Sequence, residues 1–128
     1  MKTPYLAIAL GSVIGSVLRW LVGIAALALF GAAFPWGTLF VNLTGSFAIG
    51  CYAALTEPAD APSAHAPARQ FVMTGICGGY TTFSAFSLET FRMLHAGAIG
   101  EGASYALVSL LGSILAAWLG ALAAKLVR

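Results

Sequence analysis

Charge is what this chain has least of. Only 8% of its 128 residues are charged, six basic against four acidic, where a soluble domain carries roughly 25%. So few charges cannot clothe a water-facing surface. The formal net charge of +2 is scattered along the chain, so the clustered basic face that nucleic acid requires is absent and no nucleic-acid partner is expected. Cysteine is nearly absent too. Cys51 and Cys77 sit alone in apolar runs, with no C-x-x-C spacing and no adjacent histidine to complete a metal site. Both read as packing residues, in keeping with how often cysteine is buried. His65 and His95 fall at or beyond the ends of apolar runs, and neither reads as a ligand. No nucleophile, base and orienting group cluster at a useful spacing, which argues against an enzyme.

What is present is hydrophobic sequence: 60% of residues are apolar and the mean hydropathy is +0.93. A membrane helix needs about 20 predominantly apolar residues. Four stretches qualify, at residues 4–29, 37–56, 69–95 and 102–124, predicting an all-α membrane protein in a single four-span domain. The basic, apolar N-terminus invites comparison with a signal peptide, but its apolar run continues through Arg19 towards Phe34 without a clean small-residue cleavage site. It reads as a retained first span. Pro35 is expected to end that helix and Trp36 to sit at the interface. The polar segment from Glu57 to Pro67 reads as a loop on the opposite side, and Gly97 to Glu101 as the last turn. Lys2, Arg69, Lys125 and Arg128 then share one side and Arg92 the other, a modest lean towards the first side being cytoplasmic.

The third span is unusual. As one continuous helix it would extend about 40 Å, against a hydrocarbon core of about 30 Å. At its middle, Gly78-Gly79 followed by Tyr80 and the β-branched Thr81 and Thr82 make a poor helix interior. A break is expected from Gly78 to Thr81, and broken backbone at membrane depth persists only where protein buries it or it lines a cavity.

Polar residues elsewhere follow helical spacing. Thr38, Asn42 and Ser46 recur every fourth residue in the second span, as do Tyr105, Ser109 and Ser113 in the fourth. Hydroxyls and amides commonly glue membrane helices together. Two aligned stripes beside a broken helix also suit a pathway for an anion, because neutral donors can replace water around it where carboxylates would repel it. Neither of the first two spans contains a carboxylate. Glu89 is the one acid inside a span: either a functional group or a structural partner for Arg92 at i+3. Arg19 reads as structural, snorkelling to the interface or holding carbonyls at a helix end. Gly11 and Gly15 form a G-x-x-x-G pair, a weak sign of close helix approach.

Three segments taken together resemble the Fluc/CrcB family of small fluoride channels. They are Gly11-x-x-x-Gly15-x-x-x-Arg19-Trp20, then Pro35-Trp36-Gly37-Thr38-Leu39-Phe40-Val41-Asn42-Leu43-x-Gly45-Ser46-Phe47, then Gly75-Ile76-Cys77-Gly78-Gly79-Tyr80-Thr81-Thr82-Phe83-Ser84-x-Phe86-Ser87-x-Glu89. The resemblance implies an antiparallel, dual-topology homodimer in the bacterial inner membrane, with two fluoride pores and a structural sodium ion at its centre. By position, it implies a pore lined by Asn42, Phe83 and Phe86, with Thr38, Tyr105, Ser109, Ser84, Ser87 and Glu89 along the polar track. The Gly78 and Thr81 carbonyls would hold the sodium. It also implies passive export of fluoride trapped in the cytoplasm. Two rivals share the size of this chain: a small four-span drug exporter, which depends on a first-span glutamate that this sequence lacks, and an accessory membrane subunit, which leaves the polar stripes unexplained.

Overall fold

The computed structural model describes residues 4–56 and 66–127. Lys2, Arg128 and the loop from Glu57 to His65 lie outside the described residues. Within them the chain is helical. Helix α1 runs Pro4–Phe30, α2 Trp36–Thr56 and α6 Ile99–Val127, and these three are long and apolar enough to cross a membrane. Between α2 and α6 the chain forms α3 (Pro67–Arg69), a π-helical stretch over Gln70–Cys77, α4 (Gly78–Tyr80) and α5 (Phe83–His95).

Connections are tight. Gly31, at φ 76°, follows α1, and Gly97, at φ 83°, turns the chain from α5 into α6; both positions use the left-handed region that glycine enters without steric penalty. Pro35 does not end α1, which has already stopped at Phe30. Its carbonyl instead accepts the Leu39 N–H at 3.2 Å and so opens α2, a place where a missing proline N–H is not missed. The last turn is shorter than expected, because α6 starts at Ile99 and takes in Glu101, whose charge suits a helix N-terminus.

The third segment is broken where the expected range ends, overlapping it only at Thr81. Gly78 to Tyr80 are helical, and the extended residues are Thr81 (ψ 162°) and Thr82 (φ −153°, ψ 119°). The glycines stay helical because their lack of side chains is used elsewhere. A Cβ on Gly79 would come 2.6 Å from the Ser12 carbonyl oxygen, and one on Gly75 2.8 Å from the Gly11 Cα. From the other side, Gly15 would meet the Tyr80 nitrogen at 2.7 Å and Gly11 the Gly75 Cα at 2.9 Å. Two G-x-x-x-G pairs, Gly11/Gly15 and Gly75/Gly79, thus press backbone against backbone. In lipid, where no hydrophobic force drives helices together, such close van der Waals contact is what holds them. The pairing of α2 with α6 uses the same device, with Gly50 against the Ala117 carbonyl and Gly120 against the Phe47 carbonyl.

Few side chains are buried. Leu39, Val41, Cys77, Tyr105 and Ala124 make up the apolar core, while large residues such as Leu29, Phe40, Leu111 and Trp118 are exposed around the subunit. For a chain in hydrocarbon this outward apolar surface is the solvated one.

Candidate functional site

The site is organised by the break. With Thr81 and Thr82 extended, the Thr82 N–H has no carbonyl one turn back to bond, and Asn42 on α2 takes over. Its Oδ1 accepts the Thr82 N–H at 2.8 Å and its Nδ2 donates to the Thr82 carbonyl at 3.0 Å. One amide side chain therefore satisfies both polar groups of the residue that interrupts the helix, which membrane depth demands. Arg19 on α1 adds a second clasp, Nη1 donating to the Thr81 carbonyl at 3.2 Å. Of the two arrangements open to Arg19 from the sequence, this is the holding of carbonyls at a helix end. Thr82 then caps α5, its Oγ1 accepting the Ala85 N–H at 3.1 Å.

Below the break, Glu89 is bound by hydroxyls from two other helices. Thr38 Oγ1 donates to Oε1 at 2.8 Å and Tyr105 Oη to Oε2 at 2.7 Å. Glu89 makes no ion pair with Arg92; its carboxylate faces the polar stripes of α2 and α6 instead. Tyr105 is fully buried. Its ring lies 5.4 Å from Phe86 and 5.4 Å from Phe34, and Phe86 lies 5.4 Å from Phe83, giving a continuous run of tilted or edge-on rings. None of these pairs is stacked face to face, as the ring quadrupole favours.

Three openings border this framework. A cavity of about 220 Å³ is lined by Asn42, Ser46, Phe83, Phe86, Ser109 and Ser113, among others. Two residues of each stripe and both phenylalanines line it, whereas Thr38 and Tyr105 of the stripes lie at Glu89 instead. Ser109 is 4% exposed, and its Oγ is a buried side-chain oxygen with no hydrogen-bond partner. A larger opening of about 700 Å³ lies across the break, with Arg19, Thr38, Thr82 and Ser84 on its wall. A third, of about 570 Å³, lies at the end where α1 leads to α2 and α5 to α6, and holds Thr38, Glu89 and Arg92.

Not every expected residue gathers here. Ser87 turns its Oγ back to the Phe83 carbonyl at 2.8 Å and lines none of these three openings. Ser84 pairs with Thr82 Oγ1 at 3.2 Å and faces the opening beside Arg19. Phe83 is 75% exposed at the subunit surface. Thr82 reads from the sequence only as a poor helix interior, and its role as a cap is missed, although threonine just ahead of a helical run is a favoured N-cap residue. Phe34, edge-on to Tyr105 at 84°, carried no sequence signal at all. For a cation, no group of three or more His, Cys, Asp or Glu side chains stands together among the described residues, so only carbonyls remain. Gly78 is exposed, and the Thr82 N–H that an unbroken helix would close on its carbonyl goes to Asn42. The Thr81 carbonyl keeps one lone pair after accepting from Arg19. These two oxygens fit a hard cation in kind, but one chain supplies too few of them.

Polar stripes meeting at a broken helix among otherwise lipid-facing helices define a multi-pass membrane protein. Residues 6–121 match the family described as CrcB-like protein, Camphor Resistance (CrcB), and the chain belongs to that family. It is 56% identical over 120 residues to the fluoride-specific ion channel FluC 1 of Rhodopseudomonas palustris (strain BisB18), covering 94% of this chain and 85% of that one. It is 50% identical over 116 residues to FluC 1 of Bradyrhizobium diazoefficiens, covering 91% and 80%. The fluoride-specific ion channel FluC of Opitutus terrae is 47% identical over 120 residues, covering 94% and 91%.

Proposed function

We propose that this chain is a fluoride-selective channel of the bacterial inner membrane, letting fluoride leave the cytoplasm passively and carrying out no chemistry on it. The observation that carries the reading is the 220 Å³ cavity in which Asn42, Ser109 and Ser113 face Phe83 and Phe86. Its polar groups are neutral, and the Ser109 hydroxyl, buried beside Tyr105 with no partner at hydrogen-bond distance, would turn its proton towards an anion entering the cavity. Hydroxyl and amide hydrogens replace part of a small anion's hydration shell. The positive edges of aromatic rings add a weak attraction, which does not hold the ion so tightly that it cannot leave. Membership of the family and the fluoride-specific names of its relatives support this choice of anion.

The working unit in this proposal is a homodimer of antiparallel subunits inserted in both orientations. The segments 67–80 and 83–95 together make the fourth crossing, interrupted at its centre. Support comes from Phe83, whose exposure leaves the aromatic wall unfinished in one subunit, and from closed two-fold symmetry as the usual form of small oligomers. A sodium ion at the two-fold axis would be held by the Gly78 and Thr81 carbonyls of both subunits and would be structural. The test is efflux from liposomes loaded with fluoride and carrying the purified protein. Fluoride should leave down its gradient without a proton or sodium gradient, while chloride is retained. Efflux that stops when those gradients are removed would make the protein a carrier, and no fluoride efflux at all would end the reading.

A further inference from the structure

The third opening holds a charge that the proposed pathway does not use. Of the residues lining the 570 Å³ cavity, Glu89 is the only acid and Arg92 the only base. They stand three residues apart on α5 and so face the same way. Glu89 is engaged by Thr38 and Tyr105, whereas the exposed Arg92 guanidinium meets no hydrogen-bonding or ionic partner among the described residues. The other ionisable groups near this end lie outside the cavity: His95 stacks on Phe91 at 5.5 Å, and Glu101 sits in the first turn of α6. A carboxylate standing alone in this mouth would repel anions.

We infer that Arg92 is the charge that makes this mouth attractive to fluoride, offsetting Glu89 and raising the local anion concentration at one end of a chain of openings: this one shares Thr38 with the opening across the break, which in turn shares Thr82 with the narrow cavity. A concave opening with low-dielectric walls focuses such a field. The inference rests on the fluoride-channel reading. The competing role for Arg92 is structural: it lies in the last turn of α5, where a cation complements the helix dipole. Steering and dipole complementation differ in their reach. A field acting on free ions works over a Debye length, about 30 Å at 0.01 M salt and about 3 Å at 1 M.

Two measurements separate these roles. In the first, Ala96→Cys places a thiol on the wall of the same cavity, and its modification rates by an anionic and a cationic methanethiosulfonate are compared. The reaction of Cys51 and Cys77 in the unsubstituted chain is subtracted. Adding Arg92→Gln should lower the anionic-to-cationic rate ratio about fivefold at low salt, and Arg92→Lys should leave it unchanged. In the second, fluoride efflux through the Arg92→Gln channel should fall roughly three- to tenfold at 0.01 M impermeant salt and match the parent at 1 M. A rate ratio indifferent to Arg92→Gln would overturn the inference, as would an efflux loss equal at both salt concentrations. If the parent chain itself passes no fluoride, the channel reading fails, while the thiol rates still decide whether Arg92 sets the potential of the mouth.

Discussion

The two halves of the interrupted segment are held in opposite ways. Residues 67–80 lie against α1 through glycines, backbone on backbone, with Gly75 and Cys77 buried. Residues 83–95 are suspended from α2 and α6 by side chains: Asn42 on Thr82, Thr38 and Tyr105 on Glu89, and Phe86 on Tyr105. Openings border this second half on its different faces. The first half is an anchor whose precision comes from an absence of side chains, and the second is a wall whose chemistry comes from their presence. Substitutions should therefore fail differently on either side of Thr81.

The largest effect belongs to the anchor. Gly15→Val would drive a branched side chain into the Ile76 carbonyl and the Tyr80 nitrogen, and neither backbone atom can swing away. Overpacking costs about 1–3 kcal/mol even where side chains can yield, so folded, monodisperse protein should be lost, as read by size-exclusion chromatography in detergent. Normal yield would mean that α1 and residues 67–80 are not tightly joined. Next comes Asn42→Ala, at the boundary of the two halves. It strands the N–H and carbonyl of Thr82, and one buried unpaired group costs about 1–3 kcal/mol. The protein should still fold, with a lowered thermal midpoint and little fluoride efflux. An unchanged midpoint would mean that the break satisfies itself without the amide.

Within the wall, Phe83→Ile and Phe86→Ile keep bulk and remove the ring edge. An aromatic contact is worth about 0.5–1.5 kcal/mol beyond its area, so each should cut fluoride efflux by about two- to tenfold while chromatography still reports the parent's elution volume. Phe83 is the cleaner of the two for the fold of the single chain, since its exposure leaves that chain's own core out of the result. Efflux near the parent's in both variants would return the rings to lipid-facing packing.

How far the sequence reaches divides along the same line. The spans α1, α2 and α6 were legible because long apolar runs leave little choice of conformation in a membrane, and the expected limits fall within a few residues of those found. The two stripes were legible because a spacing of four residues on a helix defines one face whatever surrounds it. Pro35 was misplaced because a proline is compatible with both the end of one helix and the start of the next, and only the turn at Gly31 decides. The expected break, Gly78 to Thr81, starts three residues too early because local propensity counts glycine against a helix. Propensity does not know that α1 lies close enough to need glycine there, nor that Asn42 waits for Thr82 from 40 positions away. The π-helical stretch over Gln70–Cys77 has no periodic signature and could not be read at all.

The smallest predicted effect tests whether it is backbone contact, rather than tightness alone, that makes a glycine indispensable. Gly112 and Gly120 both lie on the face of α6 turned to α2. A Cβ on Gly120 would strike the Phe47 carbonyl and come within 2.9 Å of the Cys51 nitrogen, whereas a Cβ on Gly112 would meet only Leu43 Cδ2, also at 2.9 Å. Gly120 is the tighter of the two, and the neighbours also differ in freedom. Leu43 ends in a rotatable methyl group, and a change of rotamer relieves the contact, while the backbone of α2 can move only by separating the two helices. Replacing glycine by alanine inside a helix also gains about 1 kcal/mol in intrinsic propensity. Gly112→Ala should therefore shift the thermal midpoint in detergent little in either direction, with efflux unchanged, whereas Gly120→Ala should lower it clearly. If the two alanine variants lost stability equally, flexible and rigid neighbours would be equivalent at this interface, and the backbone-to-backbone account of how these helices hold together would be wrong.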